Sequence, residues 1–167
     1  MIRQKPRVHL GRAMAALMLG LLLAGTAGAA APLEPGPDWE PREVVEIQLR
    51  ALQRNNEPRP NAGIEQVWAF AHPRNRVITG PLSRFTRMLR GPGYSVLVNH
   101  SYHEIREIRR SGESAAYAVR LLARDGGFFR FNWQLRIAEL EAGPSWMTTR
   151  VTPGRITGEQ LSAVIGP

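Results

Sequence analysis

Histidines are the first candidates for chemistry in this chain of 167 residues, which contains no cysteine. His72 lies in the stretch WAFAHP at residues 68–73. A catalytic histidine needs a partner that fixes its tautomer and a substrate within hydrogen-bond reach. Because Pro73 disfavours helical backbone at the preceding residue, we expect a helix to end at His72. The imidazole would then cap the helix C-terminus, where the dipole favours its protonated form.

His100 and His103 could indicate a metal site. They are three residues apart in a predicted strand, so we expect their side chains to point to opposite faces of a sheet. No cluster of histidine, cysteine and aspartate in the sequence completes the ligand set that zinc or copper needs. We therefore predict neither a metal ion nor another cofactor.

Carboxylates and tyrosines could perform acid–base chemistry instead. Asp38 lies in a proline-rich segment and Asp125 in a predicted turn, which leaves glutamates as candidates. A tyrosine beside a buried glutamate of raised pKa could abstract a proton, so a small lyase or isomerase is an alternative. The residues concerned are Glu65, Glu104, Glu107, Tyr94, Tyr102 and Tyr117. No nucleophile motif, phosphate-binding glycine loop or carboxylate pair is present, and we assign no catalytic residue.

Arginines form the most conspicuous charged pattern. No acidic residue lies between Glu65 and Glu104, and Arg84, Arg87 and Arg90 follow one another at one-turn spacing. On a helix they would form one basic stripe that could contact an anionic membrane surface or an acidic partner. The alternative is a solvated helix face without a partner.

The N-terminus has the pattern of an export signal. Basic residues at positions 3, 5, 7 and 12 precede an apolar run of 12 residues, AMAALMLGLLLA, which is too short to span a bilayer. Ala27-Gly28-Ala29 fits the small-residue cleavage pattern. We predict a signal peptide at residues 1–29, a mature chain that starts near Ala30, and a periplasmic location.

Cleavage would change the charge of the protein. The signal contains four of the 22 basic residues and none of the 14 acidic ones, so the formal net charge falls from +8 to +4. This moderate charge and the predicted export argue against nucleic acid as a partner. Without cysteine the exported chain has no disulfide, so its core alone must stabilise it.

Helical periodicity dominates the first half of the mature chain. A proline-rich linker is predicted at residues 30–40 and a single domain at 41–153. Apolar residues at helical spacing predict helices over residues 42–55, 62–71 and 82–90. Asn61 is the expected N-cap of the second helix, and Gly91-Pro92 ends the third. A capping box at Thr157 and Gln160 predicts a short helix in the tail, residues 154–167.

Strand periodicity dominates the second half. Four antiparallel strands are predicted near residues 101–109, 114–123, 127–137 and 145–151, with Asp125-Gly126-Gly127 as a hairpin turn. In the third strand Phe129, Phe131 and Trp133 share one face, which must pack against the helices or line an apolar pocket. The predicted class is α+β, with three N-terminal helices on a curved four-stranded antiparallel sheet. The pocket would be lined by Tyr94, Tyr117, Phe129, Phe131 and Trp133.

The order of these elements resembles the cone-shaped fold of nuclear-transport-factor-2-like proteins. More narrowly, the chain resembles a bacterial family known as domain of unknown function 4864, over roughly residues 42–151. The family pattern is a Q-L-x-A helix, a phrase like F-A-x-P, then F-x-x-M and a tyrosine before the sheet. The matching positions are Gln48, Leu49, Ala51, Phe70, Ala71, Pro73, Phe85, Met88 and Tyr94. The closing W-R-I of the family is absent, since Met147 and Thr148 follow Trp146.

The resemblance implies a fold but no activity. We therefore expect an exported, non-catalytic domain that binds a protein partner or a small apolar ligand. A lyase or isomerase working inside the cone and a structural protein of the cell envelope are alternatives. The sequence leaves open whether the chain forms a homodimer.

Overall fold

The structure, a computed structural model, describes residues 31–154. Four α-helices come first, followed by a short 3-10 turn and four strands. The helices are α1 (Pro41–Gln53), α2 (Ala62–Ala69), α3 (Pro73–Thr79) and α4 (Leu82–Arg90), and the 3-10 turn is Ser95–Leu97. The strands are β1 (Tyr102–Ser111), β2 (Ser114–Leu122), β3 (Phe128–Leu140) and β4 (Gly143–Gly154). The predicted signal peptide and tail helix lie outside the described residues.

The α+β class and the four-stranded antiparallel sheet are confirmed, but the number of helices was wrong. The strands are hydrogen-bonded in the order β1-β2-β3-β4. Within residues 31–154 there are four α-helices instead of three, because α3 starts at Pro73. Proline is excluded from the interior of α2, yet its fixed φ and missing N–H suit the first position of a new helix. The same proline therefore ends one helix and begins the next.

The predicted alternation in β3 is confirmed by the register with β2. Phe131 lies opposite Val119 and Trp133 opposite Tyr117, and all four side chains are buried. Phe129 and Ile137 lie on the same face and are half-buried against the core. Gln134 and Arg136 on the other face are exposed. The helices pack on the apolar face, which therefore forms the core of the domain.

Helices α1 and α2 approach each other at Gly63. A Cβ atom at this position would lie 2.1 Å from the backbone oxygen of Ala51, which only glycine avoids. The buried Asn55 joins the two helices, since its backbone oxygen accepts from Gly63 N and its Oδ1 from Ile64 N. Asn61 occupies the predicted N-cap position with a left-handed φ of 68°, but its side chain does not cap the helix. Asn55 performs that role instead.

The free edge of β4 is partly covered by the junction of α2 and α3. Thr148 N donates to Phe70 O, and His72 N donates to Thr148 O at 2.9 Å. Ala71 therefore forms an isolated parallel bridge with Thr148. One residue further on, β4 has a bulge against β3: Gln134 pairs with Arg150 but Leu135 with Thr148, so Thr149 is the extra residue.

The predicted linker is held against the domain over its described part. Leu33 N donates to Gln66 Oε1 and Gln66 Nε2 donates to Leu33 O, each at 2.8 Å. Trp39 packs partly against the core. Leu33 and Trp39 thus attach the segment before α1 to the domain.

Candidate functional site

An apolar cavity of about 300 Å³ lies between α2, α3 and α4 on one side and β3 and β4 on the other. Its inner wall consists of core side chains from four of these elements, including Val67, Phe85, Leu89, Trp133 and Val151. Helix α4 contributes because Phe85 and Leu89 are one turn apart and both are buried. The volume is at the lower end of the range for small-molecule sites.

The structure brings only part of the predicted pocket together. Tyr94 and Trp133 line the cavity, and Tyr94 donates its hydroxyl proton to Val151 O at 3.0 Å. Tyr117 and Phe131 are both 1% exposed and are packed into the core, outside the cavity wall. Phe129 is half-buried on the same sheet face and also lies outside the wall. The stripe is therefore mainly core, and its Trp133 end reaches the cavity.

A buried polar group stands behind the cavity wall. Gln48 is fully buried, and its Oε1 accepts hydrogen bonds from Trp133 Nε1 at 2.7 Å and Thr148 Oγ1 at 2.9 Å. Among residues 31–154 its Nε2 has no partner. Both donors line the cavity. Helical spacing in α1 places Gln48 on the same side as Val45 and Leu49. The sequence therefore predicts that Gln48 is buried, but it does not predict its hydrogen-bond partners.

Helix α3 forms one side of the cavity mouth. Ile78 lines the cavity although 70% of it is exposed, and its neighbour Val77 is 84% exposed. None of the side chains of α3 is buried. Arg76 ties the helix to α2, since its Nη2 donates to Ala69 O at 2.7 Å and its guanidinium lies over the Trp68 ring. Ile78 thus extends the apolar lining of the cavity to the exposed surface of the domain.

His72 begins a helix, which corrects the sequence prediction that it caps a helix C-terminus. Its Nδ1 accepts a hydrogen bond from Arg74 N at 3.2 Å, so it is the N-cap of α3. Burial lowers the pKa of its imidazole, and the charges of Arg74 and Arg136 lower it further. The neutral form is therefore favoured, whereas the predicted helix C-terminus would have favoured the charged one.

A basic cleft of about 610 Å³ lies beside His72. Arg74 of α3, Arg136 of β3 and Arg150 of β4 line it, and all three are exposed. Arg74 is more than 60 positions from Arg136 and Arg150 in the sequence, so no local pattern indicates the cluster. The bulge at Thr149 places Thr149 and Arg150 in the walls of both the cleft and the apolar cavity.

The prediction that His100 and His103 point apart was wrong. His100 Nε2 and His103 Nδ1 are 2.7 Å apart, and the rings meet edge to face. His100 precedes β1, and Asn99 before it has a left-handed φ of 58°, so strand alternation does not apply there. His100 Nδ1 lies 2.7 Å from Leu97 O, where it must donate. The neutral His100 therefore accepts at Nε2, and His103 donates from Nδ1.

Burial controls the charge of this histidine pair. His100 is 2% exposed, and burial lowers its pKa to about 4 against the opposing effect of the Leu97 carbonyl. Burial also lowers the pKa of His103, although Glu46, whose Oε1 lies 3.6 Å from His103 Nε2, raises it. The Glu46 carboxylate is held by Arg50 one turn along α1. Both histidines are therefore mainly neutral at neutral pH.

A lyase or isomerase would need a tyrosine beside a carboxylate, and within residues 31–154 one such hydrogen bond is present. Tyr117 donates its hydroxyl proton to Glu107 Oε2 at 3.4 Å. Burial raises the pKa of this phenol, and the charge of Glu107 raises it further. The glutamate itself is exposed, and neither residue lines one of the cavities described above. Glu104 pairs with Arg120 and Glu65 with Arg59. Tyr102 is 61% exposed.

The arginine stripe of α4 is exposed in the structure. Arg84, Arg87 and Arg90 are all at the surface of the helix. Arg90 Nη2 donates to Asn61 Oδ1 at 2.5 Å. Contact between this stripe and an anionic surface stays a prediction.

Comparisons with known proteins add no relative. No family model, curated protein or solved structure matches the chain. Over residues 31–154, none of the helices has the length and apolar character needed to cross a bilayer. In the same part of the chain, no three His, Asp or Glu side chains are grouped to hold a metal ion.

Proposed function

We propose that this protein is a non-catalytic binding domain whose ligand is a small apolar molecule held in the cavity between α3, α4 and β4. The observation that carries the proposal is the coincidence of an apolar interior with an apolar rim, since Ile78 both lines the cavity and is 70% exposed. A ligand that covers Ile78 as well as the interior removes additional apolar surface from water, which favours binding.

The polar groups of the cavity favour binding over chemistry. Tyr94 and Thr148 both have intramolecular hydrogen-bond acceptors, so neither is free as an acid or base. Gln48 Nε2, a buried donor behind the cavity wall that has no partner among residues 31–154, does not titrate. The cavity wall therefore suits a ligand that is held mainly by apolar contacts.

The proposed function is accompanied by proposals for the fold family and the location of the protein. We infer a curved, cone-like sheet of the nuclear-transport-factor-2-like type, membership of the domain of unknown function 4864 family, and export after signal cleavage. The order of helices before an antiparallel meander supports the fold inference. The cavity favours a small ligand over the protein partner that the sequence also left open. Homodimer formation is a further alternative that the experiment below does not require.

Binding can be tested with N-phenyl-1-naphthylamine, whose fluorescence rises in apolar surroundings. We expect a saturable increase with the wild-type protein. Met88 lines the cavity, so Met88→Trp should fill it and abolish the increase. Ser83→Trp on the exposed side of the same helix is the matched control and should behave as wild type. Absence of saturable binding, or equal binding by Met88→Trp with an intact fold, would contradict the proposal.

A further inference from the structure

The histidine pair of His100 and His103 is connected to the wall of the apolar cavity. His100 Nδ1 donates to Leu97 O over 2.7 Å, and Leu97, the last residue of the 3-10 turn, lines the cavity and is 1% exposed. At the other end of the pair, His103 Nε2 lies 3.6 Å from Glu46 Oε1 of α1. A single chain of polar contacts therefore runs from α1 through both imidazoles to the cavity wall.

The surroundings of the pair provide little compensation for added charge. His100 is 2% exposed, and the side chain of His103 is 9% exposed. Within residues 31–154, the charged groups that face the pair are Glu46 and Arg50, both from α1. Strand β2 places the buried Leu121 opposite His103, and the 3-10 turn contributes a neutral carbonyl. The Glu46 carboxylate can therefore balance one positive charge on the pair, but not two.

Hydrogen-bond directions set the number of protons that the pair can hold. In the neutral pair one proton lies between the rings, where His103 Nδ1 donates to His100 Nε2 over 2.7 Å. A first added proton fits on His103 Nε2, which points towards Glu46, whichever ring then carries the charge. A second added proton leaves an N–H on both facing nitrogens, because His100 Nδ1 still donates to Leu97 O. Two donors cannot bond to each other, so the rings must separate.

We propose that this histidine pair is an acid-sensitive switch for ligand binding in the cavity: with at most one added proton it holds Leu97 in the cavity wall, and a second proton separates the rings, releases the 3-10 turn and weakens binding. This inference rests on the proposed function, because it assigns a regulation to the same cavity. Among the described residues that line the cavity, none is a histidine or a carboxylate, so the wall itself offers no group that titrates in acid.

The direction of the effect follows from burial. In the closed pair burial lowers the pKa of His100 to about 4. Separation of the rings would relieve part of this effect and raise the pKa towards its ordinary value, so a falling pH favours the open state. A ligand that needs the closed wall then binds more weakly in acid and, by reciprocity, expels a proton when it binds.

The experiment measures the affinity of N-phenyl-1-naphthylamine, which is uncharged over this range, at pH 7.5 and 4.5. We expect the wild type to lose at least about fivefold in affinity, the lower end of the usual coupling between two sites. In His103→Asn the side-chain amide can present either its oxygen or its NH₂ group to His100, so it tolerates both charge states of that ring. The loss should then fall below about twofold. His72→Asn removes an imidazole outside the pair and is the matched control, which should behave as wild type.

Two further measurements separate the switch from a general loss of structure. Circular dichroism at both pH values establishes that each protein compared is folded. Calorimetric titration at pH 4.5 in two buffers of different ionisation enthalpy counts the protons released on binding, which should be fewer in His103→Asn than in the wild type. Glu46→Gln is a second variant. It removes the charge that balances the first proton, so it should move the loss of affinity to lower pH.

Each possible failure has a distinct meaning. Constant affinity of the folded wild type between the two pH values would overturn the switch and leave the cavity as a binding site. An equal loss in wild type and His103→Asn, with no difference in proton release, would overturn it as well. Absence of probe binding at pH 7.5 would instead overturn the proposed function, and the switch with it.

Discussion

Trp133 Nε1 donates a hydrogen bond to Gln48 Oε1 over 2.7 Å, and the pair joins the sheet to α1 inside the core. Trp133 is 1% exposed, and Gln48 is fully buried. The same glutamine oxygen accepts from Thr148, so a single amide links α1, β3 and β4. A buried network of this kind fixes the relative positions of its elements, because breaking any one bond leaves a polar atom without a partner.

We predict that Trp133→Ala lowers the free energy of unfolding by roughly 3–5 kcal/mol, the usual range for loss of a buried aromatic side chain. Trp133→Phe should cost less, about 1–3 kcal/mol, because it keeps most of the packing and loses the hydrogen bond. Urea unfolding of both variants measures the two effects. A thermal midpoint that moves by less than about one degree in Trp133→Ala would mean that the side chain is not packed as described.

Gly63→Ala is predicted to destabilise the domain by roughly 1–3 kcal/mol or more, as expected for overpacking. The new methyl group would overlap the backbone oxygen of Ala51, which cannot rotate away as a flexible side chain could. Gly112→Ala is the matched control, because a Cβ there meets nothing within 4 Å. If the two substitutions have equal effects on urea unfolding, the close approach of α1 and α2 is wrong.

Periodicity in the sequence predicts the parts of this fold that local rules control. The alternation of Phe131, Trp133 and Leu135 with polar residues predicts which face of β3 is buried, and their burial confirms it. The hairpin at Asp125-Gly126-Gly127 is predicted because glycine readily adopts the left-handed backbone of such turns, and Gly126 has a φ of 86° in the structure. Each of these signals lies within a few residues of the feature that it predicts.

Features that depend on distant residues could not be predicted in the same way. From the sequence, Pro73 is equally compatible with the end of α2 and with the start of α3. The pairing of Ala71 with Thr148, which separates the two helices, depends on a distant part of the chain. The contact of His100 with His103 depends on the turn at Asn99, outside the strand whose alternation was used. The cavity and cleft form where α3 and the bulge of β4 meet, across more than 70 residues of sequence.

Stability should fall as the pH decreases from about 6.5 towards 4. Burial lowers the pKa of His100 to about 4, whereas the unfolded chain takes up a proton near the ordinary value of 6.5. The contribution of His100 to stability is therefore complete above about pH 6.5 and is lost as the unfolded state takes up the proton. The free energy of unfolding should fall by about 2 kcal/mol between pH 7.5 and 5. Burial lowers the pKa of His72 and His103 too, which adds in the same direction.

Denaturant unfolding of the wild type and His100→Asn at the two pH values tests this expectation. The variant removes the titrating group, so its loss of stability between pH 7.5 and 5 should be smaller than that of the wild type. Equal losses in the two proteins would show that His100 titrates normally in the folded state.

The mature protein is predicted to begin near Ala30. This prediction rests on Ala27-Gly28-Ala29, which follows a 12-residue apolar run and fits the cleavage pattern of signal peptidase. The apolar run is too short to span a bilayer. N-terminal sequencing of protein recovered from the periplasm measures the start directly. Recovery of membrane-bound material that still begins at Met1 would contradict the prediction.

We predict that the basic stripe of α4 contacts an anionic membrane surface. Arg84, Arg87 and Arg90 are exposed, and the chain between Glu65 and Glu104 contains no acidic residue. An arginine near an anionic membrane gains about 1 kcal/mol, so the triple variant Arg84→Gln, Arg87→Gln, Arg90→Gln should bind anionic vesicles far more weakly than the wild type. The attraction should fade with salt, because the Debye length falls from about 10 Å at 0.1 M to about 3 Å at 1 M. Cosedimentation with phosphatidylglycerol vesicles at both salt concentrations measures this, with Arg136→Gln, Arg150→Gln as a charge control on another face. Equal binding by the wild type and the triple variant, or binding by neither, would leave α4 as a solvated helix face.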